Sequence, residues 1–414
     1  IQKFQSPEVL NERNDIIVLT DEAHRSQYDT LAMNMRSALP NALFLAFTGT
    51  PLLAGEERTR EVFGDYVSIY DYQQSAEDGA TVPLFYENRT PELKLENPAL
   101  NEQIYDLIEE ADLDDAAEKK LERELGRQYH LITRGDRLNT VAKDIVQHFL
   151  GRGFQGKAMV VSIDKATALK MYDKVQRYWQ EDLVRTRGQI ADERRMTKQA
   201  RDQERLSELL ARLEVLESTE MAVIVSGAQN EVEEMKKQGL DITPHRTRMV
   251  KEEMDEKFKD PKDPFRIVYV CAMWLTGFDA PSCSTIYLDK PMRNHTLMQT
   301  IARANRVYPG KHSGLIVDYA NVFASLEKAL AIYTQGRDGK RPVQEKDKLV
   351  EELEQALADA VAFCKEHGVD LEPFATNKKL ERLGLVGDAV EALIAPDATR
   401  KTFLAHEKLL DALY

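Results

Sequence analysis

Three side chains suited to binding phosphate recur at helical spacing between Asn294 and Arg306. Gln299, Arg303 and Arg306 stand at i, i+4 and i+7, which predicts a sector of roughly 60° on one face of a helix. The opposite face is apolar: Leu297, Ile301 and Ala304. Two guanidinium groups on one face suit bidentate contact with a polyphosphate. A solvated basic face is the alternative interpretation.

A second group of candidate residues is the sequence Asp-Glu-Ala-His-Arg, which starts at Asp21 and directly follows a short apolar run. A carboxylate at the tip of a buried strand suits Mg²⁺ held through water, and its neighbour can polarise the water that attacks a γ-phosphate. We therefore predict that Asp21 is the metal ligand, that Glu22 orients or activates water, and that His24 is a nucleotide or coupling residue.

Two further polar segments follow apolar runs. Thr48-Gly-Thr-Pro is predicted to place Thr48 and Thr50 beside the metal as a switch loop, although a simple turn explains the same residues. In the segment from Met273 to Pro281, Thr276 and Gly277 are candidates for contact with phosphate or DNA backbone. Asp279 is a candidate for contact with a ribose or an arginine. The alternative is again a turn, with its aromatic side chains in the core.

Short apolar runs predict the strands that position these groups. Runs at 15–20 and 42–47, separated by a helix, indicate a parallel sheet buried on both faces, and ligands collect at the carboxyl ends of such strands. A strand at 82–89 leaves this unit. A second α/β pattern has a helix at 165–178 and strands at 157–162, 221–225, 266–271, 284–289 and 314–318.

These patterns predict four regions. Residues 1–90 form the last part of a first motor domain, 91–150 a helical linker, 151–320 a complete second domain, and 321–414 a C-terminal helical domain without strands. A charged segment at about 180–216 is predicted to be one or two exposed helices inserted into the second domain. Solvated charges or a nucleic-acid arm both explain its composition.

Composition restricts the class of protein. The 414 residues carry a formal net charge of −14 and 43% hydrophobic residues, and no apolar run approaches the length of a membrane span. The acidic balance leaves room for a local basic groove, since six Lys and Arg stand against three Asp and Glu between Phe265 and Ala320. The three cysteines lack metal-binding spacing, which predicts reduced thiols in a cytoplasmic protein.

In this order the motifs resemble those of a superfamily 2 DEAH-box helicase motor. The resemblance is closer to the R (restriction and motor) subunit of type I restriction–modification enzymes, on longer segments: Ile1 to Phe4, Asp21 to Tyr28, Phe47 to Pro51, Leu275 to Pro281 and Gln299 to Arg306. It covers residues 1–325 well and the helical tail only by position. Ala302 and Asn305 stand where many superfamily relatives have glycine, which fits the restriction branch.

The resemblance implies RecA-like motor domains, the first one partial, that hydrolyse ATP with Mg²⁺ to translocate double-stranded DNA within a site-specific deoxyribonuclease. It implies an arginine finger at Arg306, with Arg303 beside it, and a tail that contacts the methyltransferase core. The alternative role of the tail is to cap the second motor domain. The specificity subunit, a further partner, would define the DNA site. Polarity, step size and stoichiometry are left open.

Two motifs of the family are absent from these residues: the Gly-x-x-x-x-Gly-Lys-Ser/Thr phosphate loop and an Asp…Glu-x-Lys nuclease constellation. Both would lie upstream of Ile1. The chain alone is therefore expected to bind ATP weakly or not at all and not to cut DNA. The alternatives are another superfamily 2 DNA translocase or repair helicase, and a non-catalytic DNA-binding or assembly module.

Overall fold

The fold is that of a computed structural model, which describes most of the chain. The described residues are 8–21, 28–47, 67–68, 70, 72–89, 129–130, 132–152, 156–196, 202–292, 294–322, 343–376, 385–386, 389–390, 392–394 and 397–413. Among them no helix is both long and apolar enough to cross a membrane. The three cysteines are buried thiols and form no disulfide among the described residues.

Parallel strands and the helices that cover them make up the fold, as the sequence predicts. The strands are β1 (Ile17–Thr20), β2 (Leu43–Ala46), β3 (Leu84–Asn88), β4 (Lys157–Ser162), β5 (Glu220–Val223), β6 (Phe265–Val270), β7 (Cys283–Asp289), β8 (Gly314–Asp318) and β9 (Val343–Glu345). The helices up to the sixth strand are α1 (Tyr28–Ala38), α2 (Tyr72–Glu77), α3 (Gly135–Gly151), α4 (Lys165–Arg195), α5 (Gln203–Ser218), α6 (Glu231–Lys237), α7 (Thr243–Lys251) and α8 (Met254–Lys259). Those that follow are α9 (Asn294–Ile301), α10 (Lys346–Glu366), α11 (Glu372–Thr376) and α12 (Asp397–Leu413).

The larger sheet has seven strands in the order β5-β6-β4-β7-β8-β3-β9, and every neighbouring pair is parallel. Successive side chains point to opposite faces, so each face has its own apolar core. One core receives α3 and α4, and the other receives α8 and α9. Helices on both faces explain why β4 and β7 are buried along their whole length.

Local sequence explains the buried face of α3 and the first residue of α4. In α3 the buried apolar residues recur at three- and four-residue intervals, the pattern of an amphipathic helix: Leu138, Val141, Ala142, Ile145, Val146 and Phe149. Helix α4 begins where the Asp164 carboxylate accepts a hydrogen bond from the Thr167 backbone N–H at 2.6 Å. It runs without a break to Arg195, so the predicted helix at 165–178 and the start of the predicted insertion are one element.

The smaller sheet pairs β1 with β2 in parallel, with Ile17 opposite Leu43 and Leu19 opposite Leu45. These four side chains share one face, which we call the open face. Ile17 is 63% exposed, Leu43 56%, Leu19 66% and Leu45 37%. The prediction that these strands are buried on both faces is therefore wrong. On the other face Phe44 is buried, and the Arg36 guanidinium of α1 lies 5.2 Å from its ring centre.

Two strands differ from the sequence prediction in their placement. Strand β3, expected only to leave the first unit, lies between β8 and β9 in the larger sheet, because its Leu84, Phe85 and Tyr86 are buried there. Strand β9 lies in the C-terminal region that was predicted to lack strands. Its three residues are too few to show an alternating pattern. The four predicted regions remain a proposal.

Candidate nucleotide-responsive site

The first part of the site is a tight turn, Thr276–Asp279, which follows β6. Gly277 has a φ of 67°, the left-handed conformation that favours glycine. The rings of Trp274 and Phe278 stack with centroids 4.2 Å apart and planes 8° apart, and Phe278 is buried. This stack supports one side of the turn, whereas Thr276 and Gly277 are exposed. Their predicted contact with DNA remains a proposal.

Helix α9 ends earlier than predicted, at Ile301 rather than Arg306. After Ala302 the backbone bonds tighten to i→i−3: Arg303 N donates to Thr300 O at 3.1 Å, and Ala304 N to Ile301 O at 2.9 Å. The apolar face is confirmed, since Leu297, Ile301 and Ala304 are completely buried.

The predicted polar face of α9 is wrong for one of its three members. Gln299 is buried together with the apolar residues and does not share a solvent face with the arginines. Arg303 is half-buried. Its Nε donates to the Gln299 carbonyl at 3.1 Å, and its Nη1 donates to the Phe278 carbonyl. Arg303 therefore ties the end of α9 to the turn Thr276–Asp279.

Arg306 has a different environment. Its Nε lies 3.1 Å from Asp279 Oδ1, and the two side chains are 47% and 58% exposed. Asp279 was predicted to contact a ribose or an arginine, and the structure brings it to this arginine. An exposed pair of this kind stabilises a protein by about 0–1 kcal/mol. The guanidinium can therefore exchange the carboxylate for another anion at little cost.

This cluster lies at the amino edge of the larger sheet. Asp279 stands four residues before β7 begins, and the Arg306 backbone forms an antiparallel bridge with Thr81, three residues before β3 begins. Asp21, in contrast, stands at the carboxyl end of β1 in the smaller sheet and is exposed. The two predicted halves of the site therefore belong to different sheets and to opposite strand ends.

Lys311 is a residue of this cluster that the sequence did not indicate, because Pro-Gly-Lys reads as an ordinary turn. It is buried, and its Nζ donates to the carbonyls of Pro281 at 3.0 Å and Cys283 at 2.7 Å. Burial lowers the pKa of Lys311 to about 8, and the nearby Arg306 acts in the same direction. Lys311 thereby fastens the loop after Arg306 to the chain that follows Asp279.

Four of the predicted site residues lie outside the described residues: Glu22, His24, Thr48 and Thr50. Of the remainder, Arg303, Arg306 and Asp279 come together, with Thr276 and Gly277 on the adjoining turn.

The chemistry of these groups fits a nucleoside triphosphate with its magnesium ion. An exposed carboxylate such as Asp21 supplies the hard oxygen that Mg²⁺ prefers, and Mg²⁺ usually keeps several waters and phosphate oxygens as its other ligands. Within the described residues no three His, Cys, Asp or Glu side chains group into a closed metal site. A single-carboxylate site does not require such a group.

Comparison with protein families gives two matches along the chain. The family described as SWI2/SNF2 ATPase matches residues 1–119. The family described as type I restriction enzyme subunit R domain 3 matches residues 154–321. The second match contains the turn Thr276–Asp279, helix α9 and both arginines.

Curated relatives are similar over most of the chain. The MjaIXP type I restriction enzyme endonuclease subunit of Methanocaldococcus jannaschii is 33% identical over 409 residues, which are 98% of this chain and 35% of that protein. The HindI endonuclease subunit of Haemophilus influenzae is 36% identical over 360 residues, 81% of this chain and 30% of that protein. The chain thus spans about a third of the length of the relatives it matches.

Among solved structures, the chain is similar to an HsdR subunit fragment of a type I restriction enzyme from Vibrio vulnificus. It aligns with a TM-score of 0.45 and 15% identity, covering 80% of this chain and 47% of that one.

Proposed function

Because the chain is a homologue of the endonuclease (R) subunits of type I restriction enzymes, we propose that it forms part of an ATP-driven motor that translocates double-stranded DNA. The observation that carries the proposal is the pairing of Arg306 with Asp279 at the amino edge of the larger sheet. This arrangement presents an exchangeable guanidinium close to the surface. The match of residues 1–119 to an ATPase family supports nucleotide hydrolysis.

We assign roles in ATP hydrolysis to the residues that follow β1 and β2 in the chain, and to Gln299. Asp21 holds Mg²⁺ through water, and Glu22 orients or activates the attacking water. His24, Thr48 and Thr50 are nucleotide or coupling residues, and Gln299 supports the same site from within α9. ATP with its Mg²⁺ supplies the phosphoryl group whose transfer drives movement.

We propose different roles for the two arginines. Arg306 is the arginine finger, because its guanidinium is half-exposed and the described residues hold it through an exposed ion pair of small energy. Arg303 has its Nε and Nη1 committed to main-chain carbonyls, so its role is to join α9 to the turn Thr276–Asp279. This refines the sequence prediction, which gave both arginines the same role.

The wider assignment follows the relatives. Thr276 and Gly277 contact the DNA backbone, and the C-terminal helices, including α10 and α12, contact the methyltransferase subunit. The specificity subunit supplies sequence recognition. The regions 1–90, 91–150, 151–320 and 321–414 are the proposed domains, with β3 of the first and β9 of the last pairing into the larger sheet. The protein works in the cytoplasm. Cleavage of DNA requires the nuclease constellation that these residues lack.

The test is a Glu22→Gln variant of the full-length R subunit, assembled with its methyltransferase and specificity subunits on target DNA. We expect ATP turnover to be abolished while ATP binding, measured by titration of a fluorescent analogue, is retained. A matched control is Glu8→Gln, the same change at an exposed position in the same region. Turnover by Glu22→Gln at the rate of the wild-type subunit would refute the assignment.

A further inference from the structure

The main chain around Arg306 is joined to the segment that precedes β3. Thr81 forms the antiparallel bridge to Arg306, and the Val82 N–H donates to the Asn305 carbonyl at 2.8 Å. Thr81 is itself held, since its Oγ1 lies 3.0 Å from Ser75 Oγ of α2. The residues on both sides of this contact, 81–84 and 304–314, form what we call the seam.

The seam is packed too closely for any side chain at Gly314, the first residue of β8. A Cβ added there would lie 2.3 Å from the Ala304 carbonyl oxygen and 2.6 Å from Leu84 Cδ2. The Gly314 N–H also donates to the Pro83 carbonyl at 2.9 Å. Because the Ala304 carbonyl belongs to the backbone two residues before Arg306, a methyl group at 314 must displace the chain that carries this arginine.

Lys311 fixes the other side of the seam. Its buried ammonium group bonds the Pro281 and Cys283 carbonyls, two and four residues after Asp279. Lys311 thus joins the segment that follows Asp279 to the loop that carries Arg306, in addition to the ion pair between these two residues. Loss of this lysine leaves the buried Cys283 carbonyl and the part-buried Pro281 carbonyl without this donor.

We propose that the seam sets the position of Arg306 for ATP turnover, with Gly314 and Lys311 as positioning residues. The proposal rests on the proposed role of Arg306. It adds a path: residues 72–83 are the described end of the chain between β2 and β3, so the seam joins Arg306 to the segment that links the smaller sheet to the larger one. A change in that segment reaches the arginine through main-chain hydrogen bonds.

The first experiment compares Gly314→Ala with Gly151→Ala in the full-length R subunit, assembled with its partner subunits on DNA. Gly151 ends α3, and a Cβ there meets no atom within 4 Å, so the control makes the same chemical change without a clash. Displacing a reacting group by about 1 Å can lower a rate about a hundredfold. We expect Gly314→Ala to lower kcat by about that factor, with KM for ATP changed less than about threefold. Gly151→Ala should match the wild-type subunit.

A double-mutant cycle then separates positioning from general damage. Single-turnover ATP hydrolysis is measured for Gly314→Ala, Arg306→Ala and the double variant. If Gly314 acts through Arg306, Gly314→Ala should lower the single-turnover rate little further in a protein that already carries Arg306→Ala. Independent, multiplicative losses would overturn the proposal, because they would show that Gly314 acts elsewhere in the fold. If thermal melting shows that Gly314→Ala does not fold, Lys311→Met takes its place in the same cycle under the same criteria.

The outcomes also distinguish this inference from the proposed function. If Arg306→Ala turns over ATP like the wild-type subunit, the finger assignment is wrong and the inference fails with it. If Arg306→Ala is inactive while folded Gly314→Ala and Lys311→Met are fully active, the seam inference alone is overturned.

Discussion

At the scale of single residues, two arginines of one motif have different environments. Arg303 donates to two main-chain carbonyls and is half-buried, whereas Arg306 is close to half-exposed and paired with Asp279. Their spacing in the sequence is that of one helix face, and nothing in the residue types separates them. The difference arises because the helix ends at Ile301, so the chain beyond it follows tertiary contacts rather than helical geometry.

This difference predicts distinct effects of alanine at the two positions. Arg306→Ala should lower ATP turnover about a thousandfold or more, as expected for an arginine finger, and leave thermal stability unchanged. Arg303→Ala should lower the free energy of unfolding by about 1–3 kcal/mol, because carbonyls that it satisfies lose their donor. Both are measured on the full-length assembled subunit, by ATPase assay and thermal melting.

A lysine substitution at Arg306 provides the control for the two alanine variants. Arg306→Lys keeps the charge but loses the planar fork, so we expect it to rescue little turnover. Equal loss of stability in both alanine variants, or equal loss of turnover, would contradict the division of roles.

At the scale of elements, the sequence predicted strands better than helix ends. The apolar runs located eight of the nine described strands to within two residues at either end. Six of these eight lie in the larger sheet, where strands covered on both faces need continuous apolar sequence. The exceptions have physical causes. Strand β9 has three residues, and the chain that follows α9 bonds to Val82 through the Asn305 carbonyl, a partner distant in sequence.

One buried ion pair joins two elements of the larger sheet. Arg137 Nη2 of α3 lies 2.6 Å from Asp289 Oδ1 at the end of β7, and both side chains are almost inaccessible. Arg137→Met should lower the free energy of unfolding by about 3–5 kcal/mol, since it leaves a buried carboxylate without its counter-ion. The midpoint of urea unfolding measures the effect.

Two controls define this result. The double variant Arg137→Met/Asp289→Leu should recover part of the loss, because no buried charge remains. Arg134→Met removes an exposed pair with Asp136 one turn earlier and should change the urea midpoint much less than Arg137→Met does. A loss of the same size for Arg134→Met and Arg137→Met would contradict the account.

A second link between elements is sensitive to pH. His148 of α3 lies with Nδ1 2.8 Å from the Tyr287 hydroxyl and Nε2 3.4 Å from Glu87 Oε2 of β3. Burial lowers the pKa of His148 below its usual 6.5, and it outweighs the opposing effect of Glu87; the charges of Arg89 and Arg152 lower it further.

The sign of the pH effect follows from linkage. The unfolded chain binds a proton more readily than folded His148, so stability is complete above about pH 6.5 and decreases as the pH falls through the lowered pKa. His148→Gln cannot titrate in this range. We expect the difference in urea midpoint between pH 7.5 and pH 5.5 to be smaller in His148→Gln than in the wild-type protein. An unchanged difference would exclude His148 as the cause.

At the scale of the whole molecule, the sequence predicted parallel α/β units followed by helices, and the structure confirms that class. It did not predict that β3 belongs to the larger sheet, because an apolar run does not show which sheet the strand joins. For the same reason the sequence did not predict the main-chain contacts between the segment before β3 and Arg306. Motif order indicated the superfamily 2 motor, and the longer matching segments indicated the restriction branch.

The motif content also predicts how the 414-residue chain behaves alone. It lacks the sequence Gly-x-x-x-x-Gly-Lys-Ser/Thr, whose backbone amides and lysine hold the phosphates of ATP. We therefore expect weak or no ATP binding and no DNA cleavage by the isolated chain. Calorimetric titration with ATP and a DNA-stimulated ATPase assay measure this, with the full-length subunit as the positive control. DNA-stimulated turnover by the isolated chain would contradict the prediction.

The open face of β1 and β2 has a consequence for the behaviour of this chain in solution. Four neighbouring aliphatic side chains on a two-stranded sheet attract other apolar surfaces, including the same face of another copy. The formal charge of −14 at neutral pH opposes such self-association. That repulsion disappears near the isoelectric point of about 5.2, and high salt screens it. Mildly alkaline buffers of low ionic strength should therefore keep the chain dispersed, whereas acidification should precipitate it.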